Sequence, residues 1–215
     1  MRKFFLFLAV LFLGVGPAAA SIVGTKHDMS TSDAGNDKVC VYCHTPHGAD
    51  TTVVKAPLWN RSTQDAAGSV YTGLSLEAST VTDMTLANIN ATDTPLCLSC
   101  HDGSVGEVLQ NEPNSGNTDV TGYVFGSAAA NLTTDMSNDH PIGFTYDSAA
   151  ATDDEINDST VVEAVGALGA GAVSYGATSD QMWCSSCHDV HDNTNAPFLR
   201  ISNAASALCT TCHIK

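Results

Sequence analysis

Four copies of one short motif account for every cysteine in this 215-residue chain. The copies are Cys40-Val-Tyr-Cys43-His44, Cys97-Leu-Ser-Cys100-His101, Cys184-Ser-Ser-Cys187-His188 and Cys209-Thr-Thr-Cys212-His213. Each has the form CxxCH, which is the attachment signature of a c-type haem. The two thiols add to the two vinyl groups of one porphyrin, and the adjacent imidazole binds the iron as its proximal ligand. The sequence therefore predicts four covalently attached haem c groups, with His44, His101, His188 and His213 as proximal ligands.

Other uses of paired cysteines explain less of this pattern. A disulfide framework has no need for a histidine after each pair. Two Cys₄ zinc sites would leave the same four histidines unexplained. Redox-active CxxC motifs usually occur singly, whereas this chain has four. The haem interpretation accounts for all twelve residues, so we adopt it.

Four histidines outside the motifs are candidates for the distal side of the irons. They are His27, His47, His140 and His191. Their number equals the number of predicted haems, so we expect each iron to be ligated by two histidines. The chain also offers methionine as an alternative distal ligand, at Met29, Met84, Met136 and Met182.

Two of these histidines follow a proximal histidine at a spacing of three residues, His47 after His44 and His191 after His188. Three residues extend only about 10 Å, too little to pass round a macrocycle to its opposite face. We therefore predict that each reaches the iron of an adjacent stacked haem. Our assignment places His47 on the second haem and His191 on the fourth.

The first and third haems then need His140 and His27. His140 precedes Pro141 and lies close to Gly143, a composition that suits an ordered loop. His27 lies thirteen positions before Cys40, and such a segment can span up to roughly 43 Å. It can therefore bind a haem of its own chain or of a neighbouring one, and the spacing leaves both possibilities open.

The N-terminus predicts export. Arg2 and Lys3 precede an almost unbroken apolar stretch, and Ala18-Ala19-Ala20 provides a small-residue cleavage site. We interpret residues 1–20 as a removed signal peptide and residues 21–215 as one tetrahaem cytochrome domain. The apolar stretch of about 12 residues is too short to span a membrane. We therefore predict an exported protein without a transmembrane segment, at the cell surface or outside the cell, with the periplasm as the alternative.

Composition bounds both the partners and the fold. The net charge of −15 and the pI near 4.5 argue against binding nucleic acid through a basic face. Aromatic residues make up only 7% of the chain, which suggests a thin core of side chains. We expect a multihaem cytochrome c with mostly irregular loops, short α-helices, little β-structure and a core formed by four covalent haems. One short helix is predicted within 76–89, and a helix or strand within 161–168.

Four segments carry a resemblance to a known family. They are Lys26-His27-Asp28-Met29, Cys43-His44-Thr-Pro-His47-Gly48, Asn138-Asp139-His140-Pro141-Ile-Gly-Phe144 and Cys187-His188-Asp-Val-His191. In these segments the chain resembles the exported multihaem cytochromes of metal-reducing bacteria, in particular the tetrahaem OmcE type that polymerises into extracellular nanowires. The resemblance implies bis-His ligation of every haem, alternating stacked and T-shaped haem pairs, and little secondary structure.

The resemblance also implies a homopolymer in which an N-terminal histidine of one subunit ligates a haem of the next. Carried onto this chain, that residue is His27 with the third haem as acceptor, and His140 then ligates the first haem. The implied function is electron transfer to redox partner proteins or extracellular metals, by a carrier rather than an enzyme. A monomeric periplasmic electron shuttle and, less favoured, a multihaem reductase with one open iron position are the alternatives.

Overall fold

The computed structural model describes residues 22–32, 37–51, 56–70, 81, 83–103, 128–164, 168–169 and 171–214. All eight cysteines and all eight histidines lie within these ranges, whereas the predicted signal peptide lies outside them. The α-helices are α1 (Leu86–Asn90), α2 (Thr94–His101), α3 (Tyr146–Ala150), α4 (Ser159–Val162), α5 (Cys184–Cys187) and α6 (Ala207–Cys212). Short 3₁₀ helices cover Met29–Ser32, Val39–Tyr42, Ala128–Ala130 and Ala204–Ser206.

Strands β1 (Phe144–Thr145) and β2 (Gln181–Met182) form a two-stranded antiparallel sheet, with Phe144 opposite Met182. The rest of the described chain is irregular. The expectation of loops, short helices and little β-structure is therefore confirmed for these residues. In the described part of the chain, no helix is long and apolar enough to cross a membrane.

The two helix predictions are met in part. Within 76–89, α1 begins only at Leu86, while positions 81 and 83–85 are not helical and positions 76–80 and 82 lie outside the described residues. Thr85 caps α1, because its hydroxyl accepts a hydrogen bond from the Asn88 backbone N–H at 3.2 Å. Within 161–168, only Val161 and Val162 belong to helix α4, Leu168 is not helical, and positions 165–167 lie outside the described residues.

A side-chain core joins α1 and α2 to the sheet and to α3 and α4. Its most buried members are Ile89, Leu98, Tyr146, Val162, Ala172 and Val173. Gly143 permits this packing, because a Cβ atom there would lie 2.9 Å from the Cα atom of Ile89, and its φ of +75° also favours glycine. Three of the four candidate methionine ligands, Met84, Met136 and Met182, belong to this core, where their burial in apolar packing gives each a structural role.

Candidate haem-binding sites

Every CxxCH motif lies in or beside a helical turn. The second motif is contained in α2, while α5 and α6 hold the cysteine pairs of the third and fourth. In the first motif the 3₁₀ helix Val39–Tyr42 contains Cys40 and ends one residue before Cys43. Residues i and i+3 of a helical turn share one face. The local structure therefore gives each cysteine pair the placement that two thioether bonds to one porphyrin edge need.

The cysteines are free thiols, of which Cys40 and Cys209 are exposed and the other six are partly buried. No disulfide joins any of the eight. Burial raises the pKa of Cys43 to about 11 and that of Cys187 to about 11. A four-cysteine zinc site would need four sulfur atoms around one point. The described residues also contain no group of three or more metal-ligating side chains. Paired free thiols within one helical turn are what thioether attachment of a porphyrin requires.

Consecutive motifs adjoin one another through their cysteines. The Cys100 thiol lies close enough to Cys43 to contribute to the raised pKa of Cys43. A hydrogen bond between the Cys97 and Cys184 thiols is the main cause that raises the pKa of Cys97, followed by burial. The Cys212 thiol likewise contributes to the raised pKa of Cys187. Each motif therefore adjoins the next one along the chain.

Three imidazole pairs each join a motif histidine to a histidine from outside the motifs. Ring centres are 6.1 Å apart for His27 and His101, 6.2 Å for His44 and His191, and 6.3 Å for His140 and His213. A bond from histidine to a metal is about 2.0 Å, and a ring centre lies roughly 1 Å behind the bound nitrogen, so two rings on opposite sides of one metal have centres about 6 Å apart. The pairs have the spacing of two axial ligands across one iron.

Backbone carbonyl groups fix the tautomer of four histidines. The Nδ1 atom is 2.8 Å from the Pro57 oxygen in His44, 2.7 Å from Ala130 in His101, 3.1 Å from Pro197 in His188 and 3.0 Å from Pro141 in His140. A carbonyl oxygen only accepts hydrogen bonds, so Nδ1 must carry the proton. Nε2 then has its lone pair available, which is the arrangement of histidines that bind a metal through Nε2.

Two of the histidines outside the motifs have lowered pKa values. Burial is the main cause that lowers the pKa of His27 to about 4, with a further contribution from His101. Burial likewise lowers the pKa of His140. The ring of His27 also stacks on Phe198 with centres 4.2 Å apart. Neutral imidazole is the form that binds metal, so both residues suit the role predicted for them.

The imidazole contacts group the histidines differently from the ligand pairs that we predicted for His191 from spacing and for His27 and His140 from the resemblance. His191 lies beside the first motif histidine rather than the fourth, and His140 lies beside the fourth rather than the first. His27 lies beside His101 of the second motif in the same chain. Spacing limits how far a histidine reaches but does not give its direction, which the fold decides. His47 and His188 are the two histidines that these three ring contacts do not include, and His188 also lies near His27.

Sequence reasoning did not single out two other residues of these sites. Arg61 is fully buried and donates from Nη1 to the Cys100 sulfur at 2.7 Å. Asp93 accepts hydrogen bonds from the backbone N–H groups of Cys184 and Ser185, at 3.1 and 2.9 Å. The signal for Arg61 was its rarity, since the chain has only eight Lys and Arg residues, together with its position two residues after Trp59. No signal marked Asp93 among 23 acidic residues.

Part of the chain matches a protein-family model. No curated protein matches the chain. Residues 176–215, which contain the third and fourth motifs, match the family model described as the doubled CXXCH motif. The free cysteine pairs and the paired imidazoles fit covalently bound haem, as this motif requires. Together with the match, they indicate a multihaem c-type cytochrome.

Proposed function

We propose that this protein is an electron carrier that holds four haem c groups, each iron bound by two histidines, and that it acts as the subunit of an extracellular filament. The observation that carries the first part is the spacing of 6.1–6.3 Å in three histidine pairs. These pairs would supply both axial ligands of the first, second and fourth haems.

The fourth pair follows from the remainder. His188 of the third motif needs a distal partner, and His47 is the distal candidate that the other three pairs leave over. The first and third motifs would then exchange ligands, because His191 lies beside His44 and His47 would serve the iron of His188. Neither histidine can reach round its own macrocycle over three residues. Reciprocal exchange resolves this limit for both and would stack the two haems closely.

The ligand set favours a carrier over an enzyme. Bound haem supplies a one-electron iron couple. Two neutral imidazoles at each iron would fill both axial positions and leave none for a substrate. Histidine in place of methionine lowers the reduction potential, and the net charge of −15 would lower it further by favouring ferric iron. We expect potentials below zero for most of the haems.

The mature holoprotein tests this proposal directly. Intact-protein mass spectrometry should give the mass of the chain plus four haems. Optical and electron paramagnetic resonance spectra should be low-spin, and carbon monoxide should not bind the reduced protein. Fewer than four covalent haems, or a high-spin haem that binds carbon monoxide, would contradict the proposal. The second outcome would favour a reductase.

The filament part rests on the resemblance of the N-terminal segment. His27, its stacking partner Phe198 and the adjacent His101 form one set of contacts. The same contacts would form if His27 came from a neighbouring subunit, as in domain exchange. We therefore propose the second haem as the acceptor of a neighbour's His27, in place of the third haem predicted from the resemblance.

A monomeric periplasmic shuttle is the second candidate. The observation in its favour is that His27 lies beside His101 within a single chain, so one chain can complete this ligand pair by itself. Electron microscopy of the purified holoprotein separates the two candidates, since filaments support the first and a stable particle of about 22 kDa supports the second.

A further inference from the structure

We propose that Trp59 and Arg61 together bind a haem propionate in the interior between the first and second motifs, an inference that rests on the proposed haem attachment. In the described residues, four buried side-chain nitrogen or oxygen atoms have no hydrogen-bond partner. Three of them are donors on these two residues: Nε1 of Trp59 and Nε and Nη2 of Arg61. Buried donors in a folded protein nearly always have an acceptor, so these three atoms call for one.

The energetic cost of leaving these donors unpaired is large. Arg61 is 0% exposed, and the hydrogen bond from its Nη1 goes to the weak acceptor sulfur of Cys100. An arginine stays charged when buried, because its pKa is too high to lose the proton. A buried charge without a counter-ion is strongly destabilising. The missing partner must therefore be an anion, and a planar carboxylate matches the guanidinium fork best.

The backbone holds this pair rigidly beside the first motif. Thr45 N–H donates to the Leu58 oxygen at 2.8 Å, and Asp50 N–H donates to the Trp59 oxygen at 2.9 Å. Asn60, which lies between Trp59 and Arg61 in the chain, donates its backbone N–H to the Cys43 oxygen at 2.8 Å. The indole of Trp59 also stands edge-on to the His44 imidazole, with centres 6.3 Å apart. The donors are thus fixed where haem would be attached.

The second motif lies on the other side of Arg61. The Arg61 guanidinium contacts the Cys100 sulfur and also lies near Cys43. There its positive charge favours the thiolate and so opposes the rise in the Cys43 pKa. Haem carries two carboxylates, as propionates, on the porphyrin edge away from the thioethers. Arg61 adjoins a thioether cysteine of both motifs, so it lies far from the propionates of the haems attached there. The propionate that Arg61 binds should therefore come from another haem, packed against this thioether edge.

Haem with ¹³C-labelled propionate carboxylates provides the test. In redox-difference infrared spectra of the four-haem protein, we expect one labelled carboxylate band that does not shift in D₂O, because its group is dry. Arg61→Lys and Trp59→Phe should both move this band. Arg61→Met should lower the reduction potential of one haem by about 59 mV, which is a tenfold change in its one-electron reduction equilibrium.

Arg200 offers a matched control. It is half-buried near Cys187, but its guanidinium is paired with the Ser185 carbonyl at 2.7 Å and the Tyr175 hydroxyl at 2.8 Å. Arg200→Lys should leave the dry labelled band in place. The inference is overturned if every labelled band shifts in D₂O in the unaltered protein, or if Arg61→Lys moves only unlabelled protein bands. Fewer than four haems by mass would instead contradict the proposed function, so the two failures are distinguishable.

Discussion

The histidine side chains carry the chemistry of this molecule at the residue scale. Their ring nitrogens are divided between two tasks, because a backbone carbonyl holds Nδ1 of His44, His101, His140 and His188. This leaves Nε2 for a metal in each case. A hydrogen bond at the far nitrogen also makes imidazole a better donor to the metal. The carbonyl groups of proline and alanine in nearby loops would therefore be part of the proposed ligand sites.

Replacing His191 by methionine tests the proposed partnership with His44. A thioether ligand raises the potential relative to imidazole, so we expect one haem to rise in potential while the other three stay unchanged. A potentiometric titration followed optically measures this change. His47→Met is the matched variant and should raise a different haem. If the Cys40→Ala, Cys43→Ala protein, which lacks the first haem, still shows the His191→Met effect, the partnership is wrong.

At the scale of secondary-structure elements, side-chain acceptors hold the short helices in place. Helices of four to eight residues are too short to be stable by themselves in water. Asp93 precedes α2, and both of its carboxylate oxygens accept backbone N–H groups from the first turn of α5. One side chain thus joins the helix of the second motif to the helix of the third.

Removing that carboxylate should destabilise the holoprotein. Hydrogen bonds to a charged group contribute about 1.5–3 kcal/mol, so we expect Asp93→Ala to lower the free energy of unfolding by roughly 2 kcal/mol. Thermal unfolding followed by circular dichroism measures the loss. Asp154→Ala, at an exposed loop position, should change it by less than about 0.5 kcal/mol. Equal effects of the two substitutions would show that Asp93 does not join the helices.

Glu163, which follows helix α4, makes the stability of the contacts around Val173 and Ser174 dependent on pH. Burial by itself would raise the pKa of Glu163, but hydrogen bonds from Val173 N–H, the Ser174 hydroxyl and the Gly171 backbone outweigh it, and the pKa is lowered. Because the carboxyl pKa is lower in the folded state, Glu163 stabilises the folded protein at pH values above its ordinary pKa of 4.5. This stabilisation is lost as the pH falls through the folded-state pKa.

The corresponding substitution should remove this dependence. We expect Glu163→Gln to be less stable than the unaltered protein at pH 7, and the difference should narrow as the pH is lowered from about 5 to 3. Melting temperatures of both proteins across this range provide the measurement. A difference that is constant with pH would mean that the carboxylate is not the group responsible.

For the whole molecule, the connection between subunits depends on His27. The described residues place its ring against His101 and Phe198. If subunits exchange this segment, His27→Ala should abolish filaments and convert one haem per subunit to high-spin. If the ligand stays in its own chain, the same substitution should give the high-spin haem without any change in particle size. Electron microscopy and electron paramagnetic resonance of the same preparation separate the two results.

Phe198→Ala is the control for that experiment. It removes the stacking partner of His27 but leaves the ligand itself, so the haem should stay low-spin under either scheme. A high-spin haem in Phe198→Ala as well would mean that packing at this place, rather than the imidazole of His27, controls the iron.

The sequence by itself determined the chemistry and the class of fold. Cysteine pairs at i and i+3 followed by histidine need only one turn of chain, so the motifs predict haem attachment wherever the fold places them. The scarcity of aromatic residues and the abundance of loop-forming residues also predicted the short helices and small sheet that are found. These are local properties, which neighbouring residues along the chain decide.

Only the tertiary structure decided which histidines meet and which donors lack partners. His140 lies 73 positions before His213 (213 − 140), yet their rings are 6.3 Å apart, because the loop beside β1 packs against the segment carrying α6. Arg61 belongs to this class too, since its burial between two motifs comes from backbone hydrogen bonds to Cys43 and its neighbours. Contacts between distant residues depend on the path of the whole chain, and spacing along the sequence sets only their outer limit.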